Sequence, residues 1–287
     1  MEPTIGHILE ALTDYRATGS EPVLSSIVVD SREAVHGSLF VALAGEQTNG
    51  HEFVDSAFEK GAVAALVERA PSRGFAEINL RNNGFDAVSK WDGTLPVLIV
   101  VDNSLTAMQE AARSWRERFD LKVIGITGSV GKSSTKELAT TVLSQRFRTF
   151  KSPGNRNSIL GLPPALFDLR SEHERAVLEM GMYTTGEIVR LCEITQPEIG
   201  VITMIGPVHL ERARTMETII AAKRELVEAL PPNGTAILNR DDDRVMEMAS
   251  HTQAQVFTYG LDSRADLWAD NIHSMGLGGI RFTLHHQ

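Results

Sequence analysis

A chain of 287 residues with 42% hydrophobic content is long enough for about two domains, each with a proper core. Its net charge of −9 excludes a nucleic-acid binder, because no run of Lys and Arg is present to grip a phosphate backbone. The longest clean apolar run, Leu95 to Val101, is far short of the roughly 20 residues of a spanning helix, so no membrane insertion is expected.

Glu2, Glu10 and Asp14 interrupt the first stretch, so no export signal is read there, and a cytoplasmic protein is expected. The one cysteine, Cys192, forms no internal disulfide, fits a reducing compartment, and reads as a helix-face residue rather than a nucleophile. Residues 1 to 101 read as a small α/β domain. Ser26 to Val29, Leu39 to Leu43 and Ala64 to Val67 are strand-like, and His51 to Glu59 is helical with Phe53, Ala57 and Phe58 on one side. Between them lie Asp30-Ser31-Arg32 and the loop from Gly45 through Asn49 and Gly50 to His51. Both are rich in hydrogen-bonding groups and read equally as ordinary surface loops. Pro71 to Thr94 is polar and aperiodic and reads as an irregular insertion.

Leu95 to Val101 is a buried strand. Leu105, Met108, Ala112, Trp115 and Phe119 mark one face of the helix after it, in a second domain taken as 102 to 287. The next stretch, Lys122 to Thr135, has the order strand, glycine loop, helix. Val123 to Ile126 is β-branched, Gly125, Gly128 and Gly131 break the run, and Lys132-Ser133 opens an amphipathic helix. Loop amides, the unpaired donors of the helix N-terminus and the Lys132 charge then converge on one spot, which is what a phosphate needs. The generic pattern places a glycine where this chain has Ile126, so the match is imperfect. From Val123 onward, strands at 147–150, 176–178, 199–203, 236–238 and 255–258 alternate with helix-like segments. This implies a mainly parallel sheet flanked by helices, with ligands beyond the carboxyl ends of its strands.

Glu179 directly follows the run Ala176 to Leu178, at that ligand edge, and reads as a Mg²⁺ ligand or as a solvent-facing glutamate. His209 follows the next strand by a similar step and reads equally as a loop residue. Lys223 lies on the apolar stripe of Met216, Ile219, Ile220, Leu226, Val227 and Leu230. It must snorkel, pair with an acid or lose its proton, whereas Arg224 and Glu225 read as solvated charges. Ser152 to Asn157, with Asn155 and Asn157, and Asn239 to Asp242 are strand-end loops whose amides suit a nucleobase or peptide, or simply cap a turn.

Together these segments resemble the Mur ligases, the ATP-dependent amide-forming enzymes of peptidoglycan precursor synthesis. Thr127-Gly-Ser-Val-Gly-Lys-Ser133 is similar to their phosphate loop, a form that lacks the first glycine. Gly154-Asn-Arg-Asn157 with Gly161-Leu-Pro163, and Leu178-Glu-Met-Gly-Met182 with Gly186-Glu187, most resemble the members that join D-alanyl-D-alanine to UDP-N-acetylmuramoyl-tripeptide. Leu39 to Gly45, Gly50-His51 and Asp30-Ser-Arg32 resemble the domain holding the UDP end. The resemblance implies ATP and Mg²⁺ as ligands. It implies Thr127, Gly128, Ser129, Val130, Gly131, Lys132, Ser133 and Ser134 around the phosphates, and Asn239, Asp241 and Asp242 around adenine and ribose. It places one Mg²⁺ on Ser133 and Glu179 and a second on His209, with Lys223 where the family carries a carbamylated lysine able to bind metal. Asp30, Ser31, Arg32, Gly45, Asn49, Gly50, His51, Asn155 and Asn157 would face the peptidoglycan precursor. Family members have a third domain that is not seen before Gln287, so a truncated, weakly active, monomeric chain is expected. A Mur ligase adding a diamino acid to the UDP-muramoyl-dipeptide, and a non-catalytic nucleotide-binding protein, are the other readings.

Overall fold

The computed structural model describes residues 1–45, 48–70, 74–81, 84–207 and 215–287. The elements before the phosphate loop are α1 (Ile5–Leu12), β1 (Ser26–Val28), β2 (Ser38–Val41), α2 (Val54–Glu59), β3 (Ala64–Val67), β4 (Ala76–Asn79), α3 (Gly84–Ser89), β5 (Val97–Val100) and α4 (Ser104–Arg116). They build a five-stranded sheet in the order β1-β2-β3-β5-β4 in which every pairing is parallel. β2, β3 and β5 are buried along their whole length, which is why their sequences are continuous apolar runs rather than alternations. The stretch 71–94 is thus not irregular throughout. It holds β4, which pairs with β5 in register from Ala76 against Val97 to Asn79 against Val100. Its burial alternates around the single core residue Ile78, as expected of an edge strand too short to show its period.

The chain forms two compact units, Met1–Asp120 with Leu160–Glu172, and Leu121–Ile159 with His173–Gln287. This differs from a boundary at 101. The apolar face of α4 belongs to the first unit, where Trp115 meets His7 and Phe119 edge-on and stacks on Phe167 at 6.1 Å. Aromatic packing of this kind, together with a helix 162–166 that also packs on α4, outweighs chain order.

The second unit contains β6 (Lys122–Thr127), α5 (Lys132–Leu143), β7 (Thr149–Lys151), β8 (Arg175–Glu179), α6 (Glu187–Thr195), β9 (Ile199–Ile202), α7 (Met216–Glu228), β10 (Thr235–Asn239), β11 (Gln255–Gly260), β12 (Leu267–Ser274) and β13 (Ile280–His286). Its eight strands run β13-β12-β11-β10-β9-β6-β8-β7, parallel except for the terminal β12–β13 pair. β6 lies between β8 and β9, so the chain reverses direction across the sheet at the strand that carries the glycine loop. Such a switch point opens a crevice at the carboxyl ends of the strands. Register fixes what stands there: Ile126 is opposite Glu179, and Thr127 is opposite Ile202.

Candidate functional site

The loop after β6 is shaped by two glycines in left-handed backbone, Gly128 at φ +146° and Gly131 at φ +91°. A Cβ on Gly128 would lie 1.9 Å from Thr203 Oγ1, so only glycine lets the loop approach β9 so closely. The Thr203 hydroxyl donates to the Val130 carbonyl at 2.7 Å, and Ser129 N–H donates to Met204 O at 2.6 Å. Ser129 Oγ exchanges hydrogen bonds with the Gly206 carbonyl and amide, both at 2.9 Å, and Thr127 Oγ1 donates to Met180 O at 2.8 Å. Loop side chains are consumed in bracing, which leaves the turn at Val130 to Ser134 facing outward. Lys132 Nζ donates to Gly128 O at 3.0 Å and Ser129 O at 3.3 Å. Burial lowers its pKa, against the pull of Glu179, so this ammonium is short of solvation and gains from meeting an anion.

Glu179, 2% exposed, is the hub of the crevice. Its Oε2 accepts from Ser133 Oγ at 2.9 Å, its Oε1 from Asn157 Nδ2 at 2.7 Å, and its amide donates to Ser152 Oγ at 3.1 Å. Lys136 Nζ stands 3.6 Å from Oε2 and donates to Gly154 O at 2.7 Å. The Ser133 and Glu179 oxygens fit Mg²⁺: adjacent ligands of an octahedral ion with bonds of about 2.0–2.1 Å are about 2.9 Å apart. Among the described residues no group of three His, Cys, Asp or Glu is gathered.

Lys223 is 3% exposed, with no hydrogen bond or ion pair among the described residues. Burial, and then the charge of Lys132, push its pKa down to about 8. The buried amine thus holds its proton more weakly than an ordinary lysine, and remains an ammonium below about pH 8. Glu225 is not solvated: it is 9% exposed and accepts from the amides of Gly186 at 2.7 Å and Val189 at 3.1 Å, capping α6. That correction arises because α7 packs on α6, which an isolated helical pattern does not reveal. His209 lies outside the described residues.

Asn239, Asp241 and Asp242 are all engaged with backbone. Asn239 Nδ2 donates to Thr203 O at 2.9 Å, Asp242 Oδ2 accepts from Ile205 N at 2.8 Å, and Asp241 accepts from the amides of Leu261 at 2.8 Å and Asp262 at 3.1 Å. The first two thereby hold the segment that braces the phosphate loop. Asn155 is exposed, and its carbonyl accepts from Asn157 N at 2.8 Å to close the turn.

The first unit has a cavity of about 780 Å³ beyond the carboxyl ends of β1, β2 and β3. Asp30, Ser31, Arg32, Gly45 and Gly50 all line it, with Asn103 and Glu68 at the entry to α4. Gly50 is required because a Cβ there would lie 2.6 Å from the Leu43 amide nitrogen. His51 serves the wall: Nε2 accepts from Glu68 N at 2.8 Å and Nδ1 lies 2.9 Å from Asn49 Oδ1, so the ring is neutral with its proton on Nδ1. Burial lowers its pKa accordingly. The Arg32 guanidinium grips Asp30 through two nitrogens, at 3.0 and 2.6 Å, and draws the Asp30 pKa down to about 2.

The pattern of the Mur ligase middle domain matches residues 126–285, and that of the Mur ligase family catalytic domain matches residues 23–115. The chain belongs to the Mur ligase family. A UDP-N-acetylmuramoyl-tripeptide–D-alanyl-D-alanine ligase of Synechocystis is 39% identical over 240 residues, 83% of this chain and 49% of that protein. The Escherichia coli enzyme of the same name is 34% identical over 281 residues, 96% of this chain and 57% of that protein. This Mur ligase chain therefore spans about half the length of the curated relatives it matches. Its fold is similar to that of MurF from Acinetobacter baumannii, with a TM-score of 0.79 and 29% identity over 99% of this chain and 61% of that one. MurF ligase from Thermotoga maritima, solved in complex with ADP, gives 0.73 and 26% over 90% of this chain and 57% of that one.

Within this Mur ligase, Lys132, Ser133, Glu179 and Asn157 form one connected crevice. Sequence reasoning passed over Lys136 and Thr203, and gave Ser152 a place in a strand-end loop but no role of its own. Lys136 carried a signal, since it lies one helical turn past Lys132 and Ser133 on the same face. Ser152 and Thr203 carried none, because their partners are set by strand register. Among the described residues no helix is long and apolar enough to cross a membrane.

Proposed function

We propose that this chain carries the ATP site and the uridine-nucleotide site of an enzyme that joins D-alanyl-D-alanine to UDP-N-acetylmuramoyl-tripeptide. The observation that carries the reading is the pairing of Ser133 Oγ with Glu179 Oε2 at 2.9 Å, next to a glycine loop that holds the desolvated Lys132. Outward-facing amides at the start of α5 and the Lys132 ammonium receive the phosphates. Ser133 and Glu179 would hold Mg²⁺, which when bound neutralises charge on the phosphoryl oxygens. Lys223 and His209 complete the set, and Asn239, Asp241 and Asp242 contribute by holding the segments around the nucleotide. The relatives' names support the choice of substrates.

The cavity bordered by Asp30, Ser31 and Arg32 takes the uridine nucleotide. Its size is within the roughly 300–1,000 Å³ usual for small-molecule sites. In the proposed reaction the terminal carboxylate of the tripeptide attacks the γ-phosphorus of ATP, forming an acyl phosphate and releasing ADP. The dipeptide amine then attacks the acyl carbon and phosphate leaves. Activation is needed because a carboxylate oxygen is a very poor leaving group, whereas phosphate is a good one. Lys132 is placed to follow the charge as it moves onto the leaving oxygen.

Calorimetry of MgATP and of UDP-muramoyl-tripeptide tests this. Both should bind, the tripeptide more tightly than the UDP-muramoyl-dipeptide, and Lys132→Ala should abolish nucleotide binding alone. Unchanged nucleotide affinity in that variant would overturn the assignment of the phosphate loop.

A further inference from the structure

Lys136 is one of the most deeply buried charged side chains among the described residues, at 1% exposure, on the second turn of α5. Burying an ammonium is expensive, and an apolar side chain of the same length would fill this space more cheaply. Its position must therefore be explained by what it touches. The ammonium makes one direct hydrogen bond, to Gly154 O at 2.7 Å, and stands 3.6 Å from Glu179 Oε2 and 3.8 Å from Glu137 Oε1. Glu137 is half exposed and is also paired with Lys151, so the contact with a buried carboxylate is the one to Glu179.

The two contacts act on one object. Gly154 lies in the turn between Ser152 and Asn157, and these are the residues that hold the Glu179 amide and Glu179 Oε1. Gly154 has left-handed backbone, φ +50°, with open space where a Cβ would be, so nothing packed against that side keeps the turn in place. The ends of the turn are tied by backbone, Ser152 N–H to Val177 O at 3.1 Å and Gly181 N–H to Asn157 O at 2.8 Å, and the Lys136 bond ties its middle. We propose that Lys136 is a positioning residue of the nucleotide site: by holding the Gly154 carbonyl and facing Glu179, it keeps residues 152–157 against that carboxylate and keeps the carboxylate turned toward Ser133.

This inference rests on the reading of Ser133 and Glu179 as the Mg²⁺ pair. It goes further in making metal recognition depend on a lysine that touches neither nucleotide nor ion. Calorimetry of ADP with the whole chain, with and without Mg²⁺, separates the two ideas. In the wild-type chain Mg²⁺ should tighten ADP binding; if it does not, the reading of the pair fails. In Lys136→Met that tightening should shrink at least about tenfold, as for other residues that orient metal ligands from behind. ADP binding without Mg²⁺ should change less than about threefold, because the loop amides and Lys132 are untouched. Lys136→Arg, which keeps charge and donors, should recover most of the tightening. A folded Lys136→Met chain with wild-type Mg²⁺ dependence would overturn the proposal, as would stronger dependence, which would mean that the lysine chiefly repels the ion. Should the Met variant fail to fold, Lys136→Gln is judged by the same ratio.

Discussion

Replacing Lys223 by Met removes a buried ammonium while keeping the length of the side chain, and the structure specifies the pH at which this matters. Burial disfavours the charged amine only in the folded chain, where its pKa is about 8 against an ordinary 10.5. Between those values the unfolded chain holds a proton that the folded chain has lost, so stability rises with pH across the window. Below about pH 8 the full cost of confining the ammonium is present. A shift of roughly 2.5 units corresponds to about 3 kcal/mol, to order of magnitude. Lys223→Met should therefore be more stable than wild type by about 3 kcal/mol at pH 7.5, and by less than about 1 kcal/mol at pH 10. Urea unfolding at both pH values, in buffer freed of carbon dioxide so that the amine is not captured, measures the difference. If the two chains keep the same stability gap at both values, Lys223 is not the depressed amine described above.

Gly128→Ala brings a Cβ to within 1.9 Å of Thr203 Oγ1 in a left-handed turn; it should cost about 2 kcal/mol in melting experiments and weaken ADP binding, whereas Gly154→Ala, with open space around it, should leave the loop of β6 intact. His51→Phe strands the Glu68 amide, so about 1–3 kcal/mol of stability should be lost, together with binding of the uridine nucleotide, as read by urea midpoint and calorimetry. The same histidine has a pKa held below its ordinary value, so wild-type stability should fall as pH drops below about 6.5, and a flatter acid limb in the Phe variant would verify it. Glu225→Gln replaces a carboxylate that caps α6 with a neutral amide; a loss of about 1 kcal/mol with unchanged nucleotide affinity is expected, and a large affinity loss would count against a purely architectural role.

Much of the nucleotide end was legible because its signals are local. A strand, two obligatory glycines and a helix start at Lys132 are neighbours in the chain, and Glu179 is identified by being the first polar residue after an apolar strand. Lys223 was legible through the 3.6-residue period alone. The stretch 71–94 was not legible, since β4 buries only Ile78 and depends on β5 for its hydrogen bonds. Glu225 was misread for a related reason: its partners, Gly186 and Val189, belong to another helix.

What the residues determined by themselves was the order of elements and the kind of chemistry, because backbone conformation and charge type are properties of short segments. What only the folded chain decided was which of those segments share a crevice. The register of Ile126 against Glu179, and of Thr127 against Ile202, brings Ser133 and Lys136, Asn157, and Thr203 to one edge of the sheet from three separate stretches. Hydrogen bonding between strands is blind to side-chain chemistry, so no reading of single segments could specify that convergence.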